Sequence, residues 1–222
     1  MRSVAIDGVS ASGKSTLAKM LAKKLNYVYL NTGEIYRALA CYFAEKEQCE
    51  PNEKIVAKVL NHAKVDIYFE KGAQHTCVNG KDYTSMLREE HISELSSKIS
   101  QFNLIRKKMI KVQRAFAKKN NVVMEGRDIG TVILPKADLK IYLTADVKVR
   151  AQRRYEERKD KSITYEEILE DLKERDYRDI NRKVAPLKIA KGAVVVDNTN
   201  ITIRGTYLKV LKLAKERLKI EG

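Results

Sequence analysis

The segment from Gly8 to Ser15 constrains the fold of this chain more than any other. It reads Gly-Val-Ser-Ala-Ser-Gly-Lys-Ser and matches the pattern GxxxxGK[ST] at every fixed position. The apolar run from Ser3 to Asp7 before it predicts a buried strand, and leucines at helical spacing after it predict an amphipathic helix from Lys14 to Leu25. A glycine-rich loop between a strand and a helix is typical of phosphate binding, so we expect a phosphate-binding loop here.

Each part of the predicted loop serves phosphate binding. Glycine lets the backbone wrap closely around a phosphate, and the helix N-terminus adds the positive end of its dipole. We expect Lys14 to reach the β and γ phosphates of ATP and to act in catalysis, and Ser15 to place its hydroxyl on Mg²⁺. The residues predicted to bind ATP in this segment are Gly8, Val9, Ser10, Ala11, Ser12, Gly13, Lys14, Ser15 and Thr16.

Further apolar runs alternate with helical patterns along the chain. The runs that read as strands are Tyr27 to Leu30, Val122 to Glu125, Leu139 to Leu143 and Ala193 to Asp197. This alternation predicts an α/β fold of the P-loop NTPase class, with a five-stranded parallel sheet flanked by helices. A separate β region carries the hairpin signal Asn79-Gly80 and interrupts the alternation, which predicts a small inserted lobe.

The charge of the chain favours anionic partners. Its 44 Lys and Arg exceed its 29 Asp and Glu, and the net charge is +15. Either nucleic acid or phosphorylated small molecules would fit, but seven arginines crowd the stretch from Arg150 to Arg182, and the planar guanidinium fork suits phosphate groups in a cleft. An RNA-binding protein that uses ATP as a switch is disfavoured by an aromatic content of 7% without tryptophan, so nucleic acid is not an expected partner.

Other sequence features bear on the cellular compartment and on the type of P-loop protein. No apolar run approaches the roughly 20 residues that span a bilayer, so no membrane partner is expected. Cys41, Cys49 and Cys77 are odd in number and include no CxxC pair, which favours a reducing cytoplasm over a disulfide framework or a zinc site. A guanine-reading NKxD motif is absent and the chain is short for a motor, so we expect a small-molecule kinase with an acceptor site and a closing lid that excludes water.

Short motifs that recur in one known family are spread from Val4 to about Asn200. They are Gly8 to Ser15, Asn31-Thr32-Gly33 with Tyr36-Arg37, Val78 to Asp82, Ser96 to Ser100, Glu125 to Thr131, Lys173 to Asp176 continuing to Asp179, Asn181-Arg182, and Ala185-Pro186-Leu187. The runs GRDIGT and ERDxRDxNRxxAPL are specific in combination and uncommon in adenylate or guanylate kinases. In these segments the chain resembles the bacterial-type cytidylate kinases, within the nucleoside monophosphate kinases.

The chain departs from the pattern of that family at four positions. Val9 and Ala11 stand where the family usually has Pro and Gly, and we expect phosphate binding to survive because the loop's glycines and lysine are kept. Asn31 stands where the family has Asp, which removes a charge. Glu125 replaces another Asp and keeps the charge with a longer reach.

The resemblance implies a reaction and a domain plan. The reaction is transfer of the γ-phosphoryl group of ATP, with Mg²⁺, to CMP and also dCMP, giving CDP or dCDP and ADP in pyrimidine nucleotide metabolism. We also expect a cytoplasmic monomer with one P-loop kinase domain over residues 1–222. Within it we expect a core at about 1–40, 110–150 and 185–222, a nucleoside-monophosphate-binding lobe at about 41–109, and a lid at about 151–184. The charged stretch Lys159 to Ser162 fits either a mobile loop or an ordinary solvated loop.

The resemblance also implies roles for individual residues. Arg37, Arg127 and Arg182 would bind the acceptor phosphate and act with Lys14 in catalysis, because a dianionic phosphate beside a triphosphate needs cationic neutralisation. The residues implied to read cytosine are Ser97, Arg106 and Asp128, and those implied to bind ribose are Arg175 and Asp179. Near the lid, which Arg150 and Arg153 also flank, Arg154 or Arg158 would contact the ATP phosphates or adenine.

Plainer interpretations stay open for several of these residues. Any one of the arginines could form only a surface ion pair, and Ser97 could simply face solvent. Asp128 could pair with Arg127 or with a helix end. Arg175 and Asp179 are four residues apart, as in an ordinary ion pair along a helix. Other acceptors, namely UMP, dephospho-coenzyme A or a hydroxy acid, also stay open.

Overall fold

A computed structural model describes residues 1–158 and 162–219, without the side chain of Glu90. Lys159, Asp160 and Lys161, on which the prediction of a mobile loop falls, lie outside the described residues. The chain divides into two compact units. The first unit combines Met1–Tyr29 with the chain from Asn120 onward, and the second is Leu30–Lys119.

Eight strands and eight α-helices occur in the described residues. The strands are β1 Ser3–Gly8, β2 Val28–Asn31, β3 Val65–Glu70, β4 Ala73–Val78, β5 Lys81–Asp82, β6 Val122–Gly126, β7 Leu139–Thr144 and β8 Val194–Asp197. The helices are α1 Lys14–Leu25, α2 Thr32–Lys46, α3 Glu53–Asn61, α4 Glu90–Ile99, α5 Asn103–Lys119, α6 Val147–Glu157, α7 Tyr165–Asn181 and α8 Ile203–Leu218. A 3₁₀ turn, Thr84–Met86, and a π-helical turn, Ile129–Ile133, complete the described elements.

The large sheet has the strand order β2-β6-β1-β7-β8, which confirms the predicted five-stranded sheet of the P-loop fold. β1 pairs in parallel with both β6 and β7, so that Asp7 lies beside Gly126 on one side and Tyr142 on the other. Helices α1 and α8 pack against this sheet around a buried cluster that includes Ile6, Leu17 and Val210. Since parallel strands end at one edge, the segments that follow β1 and β6 emerge together, where ligands of such sheets bind.

The second unit contains the small antiparallel sheet β3-β4-β5. Asn79 and Gly80 both have positive φ, 53° and 81°, which confirms the predicted hairpin turn between β4 and β5. The Asn79 side chain ties this turn to the segment before β3, because its Oδ1 accepts from the Lys64 amide and its Nδ2 donates to the His62 carbonyl. Residues 41–109, predicted to form the inserted lobe, lie within the wider bounds of this unit.

Two further features concern the hydropathy of the helices and the state of the cysteines. In the described part of the chain, the helices are too short or too polar to cross a lipid bilayer. Cys41, Cys49 and Cys77 are all free thiols, and two of them are buried.

Candidate active site

The phosphate-binding loop lies between β1 and α1, at the carboxyl edge of the sheet. Gly8 lies so close to β7 that a Cβ there would stand 1.9 Å from the Leu143 carbonyl oxygen, so only glycine fits. Gly13, with φ +85°, is the N-cap of α1, and Lys14 is the first helical residue. The loop therefore presents the N-terminus of α1 as sequence reasoning predicted.

Lys14 is buried inside the loop that it serves. Its Nζ donates to the Val9 carbonyl and lies 3.4 Å from Ser12 Oγ. Burial, together with the positive charge of Arg127, lowers the pKa of Lys14 from 10.5 to about 7. The amine is thus held among loop atoms, with its proton easily released near neutral pH.

Ala11 is a point where the chain's departure from the family pattern has a structural consequence. Its φ is +54°, in the left-handed region that glycine adopts freely and that costs other residues about 1–2 kcal/mol. The phosphate loop therefore carries backbone strain at Ala11, which the expectation that phosphate binding survives the exchange did not address.

A cavity of about 490 Å³ opens beside the loop in the first unit. It is lined by Ala11, Ser12, Gly13, Lys14, Ser15, Thr16, Arg153, Arg154, Glu157, Asn198, Thr202 and Ile203. Of the two arginines predicted to contact ATP, Arg154 lines this cavity, while Arg158 lies at the end of α6, next to the undescribed residues.

Arg153 and Asn198 form one wall of this cavity. The Arg153 guanidinium donates to Asn198 Oδ1 at 3.1 Å and to the Asn198 carbonyl at 2.8 Å. Asn198 Nδ2 in turn donates to the Ser12 carbonyl at 3.0 Å. This chain of bonds ties α6 and the segment after β8 to the phosphate loop, a role that sequence reasoning did not assign to Asn198.

Arg127 links the phosphate loop to α7. Its Nη2 donates to Ser10 Oγ at 2.8 Å, and its Nε donates to Asp179 Oδ2 at 2.6 Å. Burial alone would raise the pKa of Asp179, but the charges of Arg127, Arg182 and Arg175 hold it below its ordinary value. The ion pair is thus a largely buried one rather than the surface pair that stayed open from the sequence.

Arg182 ends α7 and lies between two carboxylates. Its guanidinium is 3.6 Å from Asp128 Oδ1 and 3.9 Å from Asp179 Oδ1, and its side chain is only 6% exposed. Nε donates to the Ala185 carbonyl at 2.7 Å. The Asp128 carboxylate therefore lies near Arg182, and its side chain makes no capping bond to the turn that follows it.

Asp7 is a further buried acid to which sequence reasoning gave no role. Its two carboxylate oxygens accept from the amides of Ile129 and Gly130, each at 2.7 Å. Burial is the main cause that raises its pKa to about 6. These bonds fix the turn directly after Arg127 and Asp128. The sequence signal for this role was an acid inside an apolar strand, just before the first glycine of the loop.

Arg150, which was expected to flank the lid, is a buried residue of α6. Its side chain is 5% exposed, donates to the Ser10 carbonyl at 2.9 Å and lies 2.7 Å from Asp176 Oδ2. Asp176 Oδ1 accepts from the Ser10 amide at 3.0 Å. Arg150 therefore supports the phosphate loop, a role that the sequence did not assign to it.

The second unit holds three of the predicted site residues. A Cβ at Gly33 would lie 3.2 Å from Asn31 Oδ1 and 3.3 Å from Arg37 Nη1, so glycine makes room for both side chains there. Arg106 is buried on α5 with its guanidinium carbon 5.7 Å from the Tyr36 ring centre. Ser97 is half-buried on α4.

A family comparison covers nearly the whole chain. The family model described as Cytidylate kinase matches residues 4–216. The chain belongs to the cytidylate kinase family.

Curated members of the cytidylate kinase family match along almost their full lengths. The cytidylate kinase of Caldicellulosiruptor saccharolyticus is 40% identical over 212 residues, which are 95% of this chain and 94% of that protein. The cytidylate kinase of Thermotoga neapolitana is 43% identical over 220 residues, 97% of this chain and 98% of its own. Among solved structures, the match to a shikimate kinase from Bacteroides thetaiotaomicron covers 99% of each chain at 14% identity. Its TM-score is 0.47, and no role is inferred from it.

At two positions where the cytidylate kinase family usually has Asp, this chain has Asn31 and Glu125, and both side chains have local partners. Asn31 Nδ2 donates to Glu34 Oε1 at 3.0 Å, a contact in which Asp would oppose a second carboxylate. Glu125 is buried and accepts from the Tyr29 hydroxyl. Each departure is therefore accommodated within its own unit.

Proposed function

We propose that this chain transfers the γ-phosphoryl group of ATP to CMP, and also to dCMP, in pyrimidine nucleotide metabolism. One observation carries the proposal: Ser10 of the phosphate loop is hydrogen-bonded to Arg127, which pairs with Asp179 beside Arg182. A donor loop and a buried guanidinium pair are thus joined in one unit. Membership of the cytidylate kinase family supplies the acceptor's name.

The donor side of the proposed reaction uses the cavity beside the loop. Backbone amides at the start of α1 bind the phosphates of ATP, and Lys14 neutralises the charge that develops during transfer. Arg154, on the cavity wall, contacts the ATP phosphates or stacks on adenine. Since the loop amides and Lys14 act on charge rather than through a covalent step, their contribution is position and electrostatics.

The oxygen chemistry of the cavity lining near Ser15 fits Mg²⁺. Ser15 is exposed and lines the cavity beside Lys14, so its hydroxyl oxygen is available to a hard cation. Mg²⁺ is usually held by one or two protein oxygens together with substrate phosphates. When bound, it supplies positive charge to the phosphate oxygens.

The remaining predicted site residues are assigned to the binding of the acceptor, CMP. Arg127, Arg182 and Arg37 bind the CMP phosphate, and Arg175 and Asp179 bind its ribose. Ser97, Arg106 and Asp128 read cytosine, because a carboxylate accepts from the exocyclic amine while guanidinium and hydroxyl donate to the ring nitrogen and carbonyl. The Asp128 carboxylate would repel the carbonyl that uracil carries in place of that amine.

We further propose that the enzyme works as a cytoplasmic monomer. The free thiols of Cys41, Cys49 and Cys77 suit a reducing compartment, in which ATP and CMP also occur. Light scattering of the purified protein would give its mass in solution, and a mass near twice 25.4 kDa would overturn the monomer.

Product analysis tests the proposed reaction directly. Purified protein with ATP, Mg²⁺ and CMP should form CDP and ADP in equal amounts, resolved by ion-exchange chromatography. Lys14→Ala should remain folded and lose transfer, because it removes the point charge aimed at the phosphates. Formation of ADP without CDP would show that the protein is an ATPase rather than a kinase. Near wild-type turnover by the variant would show that Lys14 has no catalytic role.

A further inference from the structure

Ser10 is bonded through its amide, its carbonyl and its hydroxyl. Its amide donates to Asp176 at 3.0 Å, its carbonyl accepts from Arg150 at 2.9 Å, and its hydroxyl accepts from Arg127 at 2.8 Å. Ser10 is buried, so its polar groups need partners, and all three partners are charged side chains. These contacts bring α6, α7 and the segment after β6 together at one residue of the phosphate loop.

Arg150 and Asp176 close a ring around the Ser10 backbone. Arg150 Nη1 lies 2.7 Å from Asp176 Oδ2, and the two side chains are only 5% and 12% exposed. Arg150 Nε also donates to the Ala145 carbonyl at 2.9 Å, which anchors the guanidinium to the segment after β7. Because both charges are satisfied by each other and by backbone groups, the ring has one low-energy geometry.

Helix α7 reaches Ser10 by two routes that leave from neighbouring turns. Asp176 contacts the Ser10 backbone directly, and Asp179, one turn later on the same face, reaches the Ser10 hydroxyl through Arg127. Under the proposed function, Asp179 and Arg127 bind the acceptor while the residues after Ser10 bind ATP. Ser10 is thus the residue where the donor and acceptor groups of the first unit meet.

We infer that Arg150 and Asp176 are positioning residues that couple the binding of ATP to the binding of CMP. The inference rests on the proposed function. By fixing Ser10 against α7, the pair holds the phosphate loop and the Arg127–Asp179 pair in one mutual geometry. A nucleotide that orders the loop therefore also orders the acceptor arginine, and the second nucleotide binds a site that is already arranged.

Three variants separate this role from plain structural support. Asp176→Asn keeps an oxygen for the Ser10 amide and loses the charge that faces Arg150. Arg150→Lys keeps the charge and loses the fork that reaches both Ser10 and Ala145. Asp176→Ala removes both contacts. Glu170→Gln is the matched control, because Glu170 is an exposed acid on the same helix, paired with Lys173 at 3.0 Å.

The measurement is the affinity of a non-hydrolysable ATP analogue, by titration calorimetry, with and without saturating CMP. In wild type and Glu170→Gln, CMP should tighten analogue binding by about fivefold or more, the lower end of the range for coupled sites. In the Arg150 and Asp176 variants this ratio should fall towards one, while the affinity for each nucleotide alone changes far less than the ratio. Circular dichroism and a cooperative thermal transition establish that each variant is folded.

The outcomes distinguish this inference from the proposed function. Folded variants that keep the wild-type ratio, even with a lower Tm, would overturn the inference and leave the pair a structural support. A wild-type ratio of one would overturn it as well. If wild type makes no CDP in the product assay, the proposed function fails and takes the inference with it, whereas CDP formation with an unchanged ratio in the variants removes the inference alone.

Discussion

Lys14 gains its unusual acidity from burial rather than from any single neighbour. Loss of water around the amine is the largest cause, and the positive charge of Arg127 adds to it, so the pKa falls to about 7. Phosphate oxygens would offset both effects by supplying negative charge beside the amine, which favours its charged form. The charge on this residue is therefore linked to the presence of nucleotide.

ATP binding should take up a proton above neutral pH. At pH 8.5 the free Lys14 amine, with a pKa of about 7, is mostly neutral, and the bound phosphates favour its charged form. Affinity for Mg·ATP should then fall as the pH rises above 7, by up to about tenfold per pH unit. Calorimetry at pH 8.5 in two buffers of different ionisation enthalpy measures the uptake, and the same titration on Lys14→Met should show none.

Ala11 provides a test of strain in the phosphate loop. Replacement by glycine relieves a left-handed conformation that costs about 1–2 kcal/mol, offset by about 0.4–1 kcal/mol of extra freedom in the unfolded chain. We expect Ala11→Gly to raise the free energy of unfolding by up to about 1.6 kcal/mol in urea titrations. A loss of stability would show that the native loop does not hold Ala11 at positive φ.

Asp128 tests how cytosine is distinguished from uracil. Asp128→Asn keeps the size of the side chain and loses its charge, and the amide can turn its NH₂ towards the uracil carbonyl. The ratio of kcat/KM for CMP over UMP should shrink, mainly through loss of CMP turnover. If the variant keeps the full preference for CMP, cytosine is read elsewhere.

The sequence predicted the place of the phosphate loop between a strand and a helix, because this pattern has a local signature. The loop from Gly8 to Ser15 is fixed by its pattern and by the elements around it. Asp176 and Arg150 carry no such signature, because an acid and an arginine within charged helices look like solvated surface residues until their helices pack. Their contacts with Ser10 join residues 166 and 140 positions apart, a pairing that spacing along one sequence does not encode.

At the scale of elements, α7 shows how one helix face serves both packing and the site. Its buried positions are Ile168, Leu172, Asp176 and Asp179, at helical spacing. The apolar half packs against α6 residues such as Ala151, and the acidic half continues the same face into the candidate site. The spacing of Arg175 and Asp179 indicated a helix here. Hydrophobic spacing cannot predict a buried face that turns acidic, because such acids need partners supplied by distant segments.

The start of α7 provides an element-scale prediction. Thr164 Oγ1 accepts from the Glu167 amide at 3.2 Å, while Glu167 Oε2 accepts from the Thr164 amide at 2.7 Å, which forms a capping box. Thr164→Ala should lower the free energy of unfolding by about 1 kcal/mol in urea titrations. Thr164→Ser is the control and should keep most of the stability. Equal stability of the alanine and serine variants would show that the box contributes nothing.

At the scale of the molecule, the alternation of strands and helices predicted the sheet but not its strand order. β6 lies between β2 and β1, although more than a hundred residues separate β1 from β6 in the chain. Hydrophobic pattern tells which residues are buried and does not tell which buried strands are neighbours. The bounds of the second unit, Leu30–Lys119, likewise depend on which elements pack together rather than on a change in composition.

The central claim is that this chain phosphorylates cytidine monophosphate and reads its base. One competition reaction tests it most directly, with equimolar CMP, UMP and GMP, limiting ATP and Mg²⁺, and the diphosphates resolved over time. A site that hydrogen-bonds the cytosine amine should form CDP at least about a hundredfold faster than UDP, because uracil leaves buried polar groups unpaired. Formation of UDP at a rate comparable to CDP, or of GDP while CMP is left unchanged, would contradict the account.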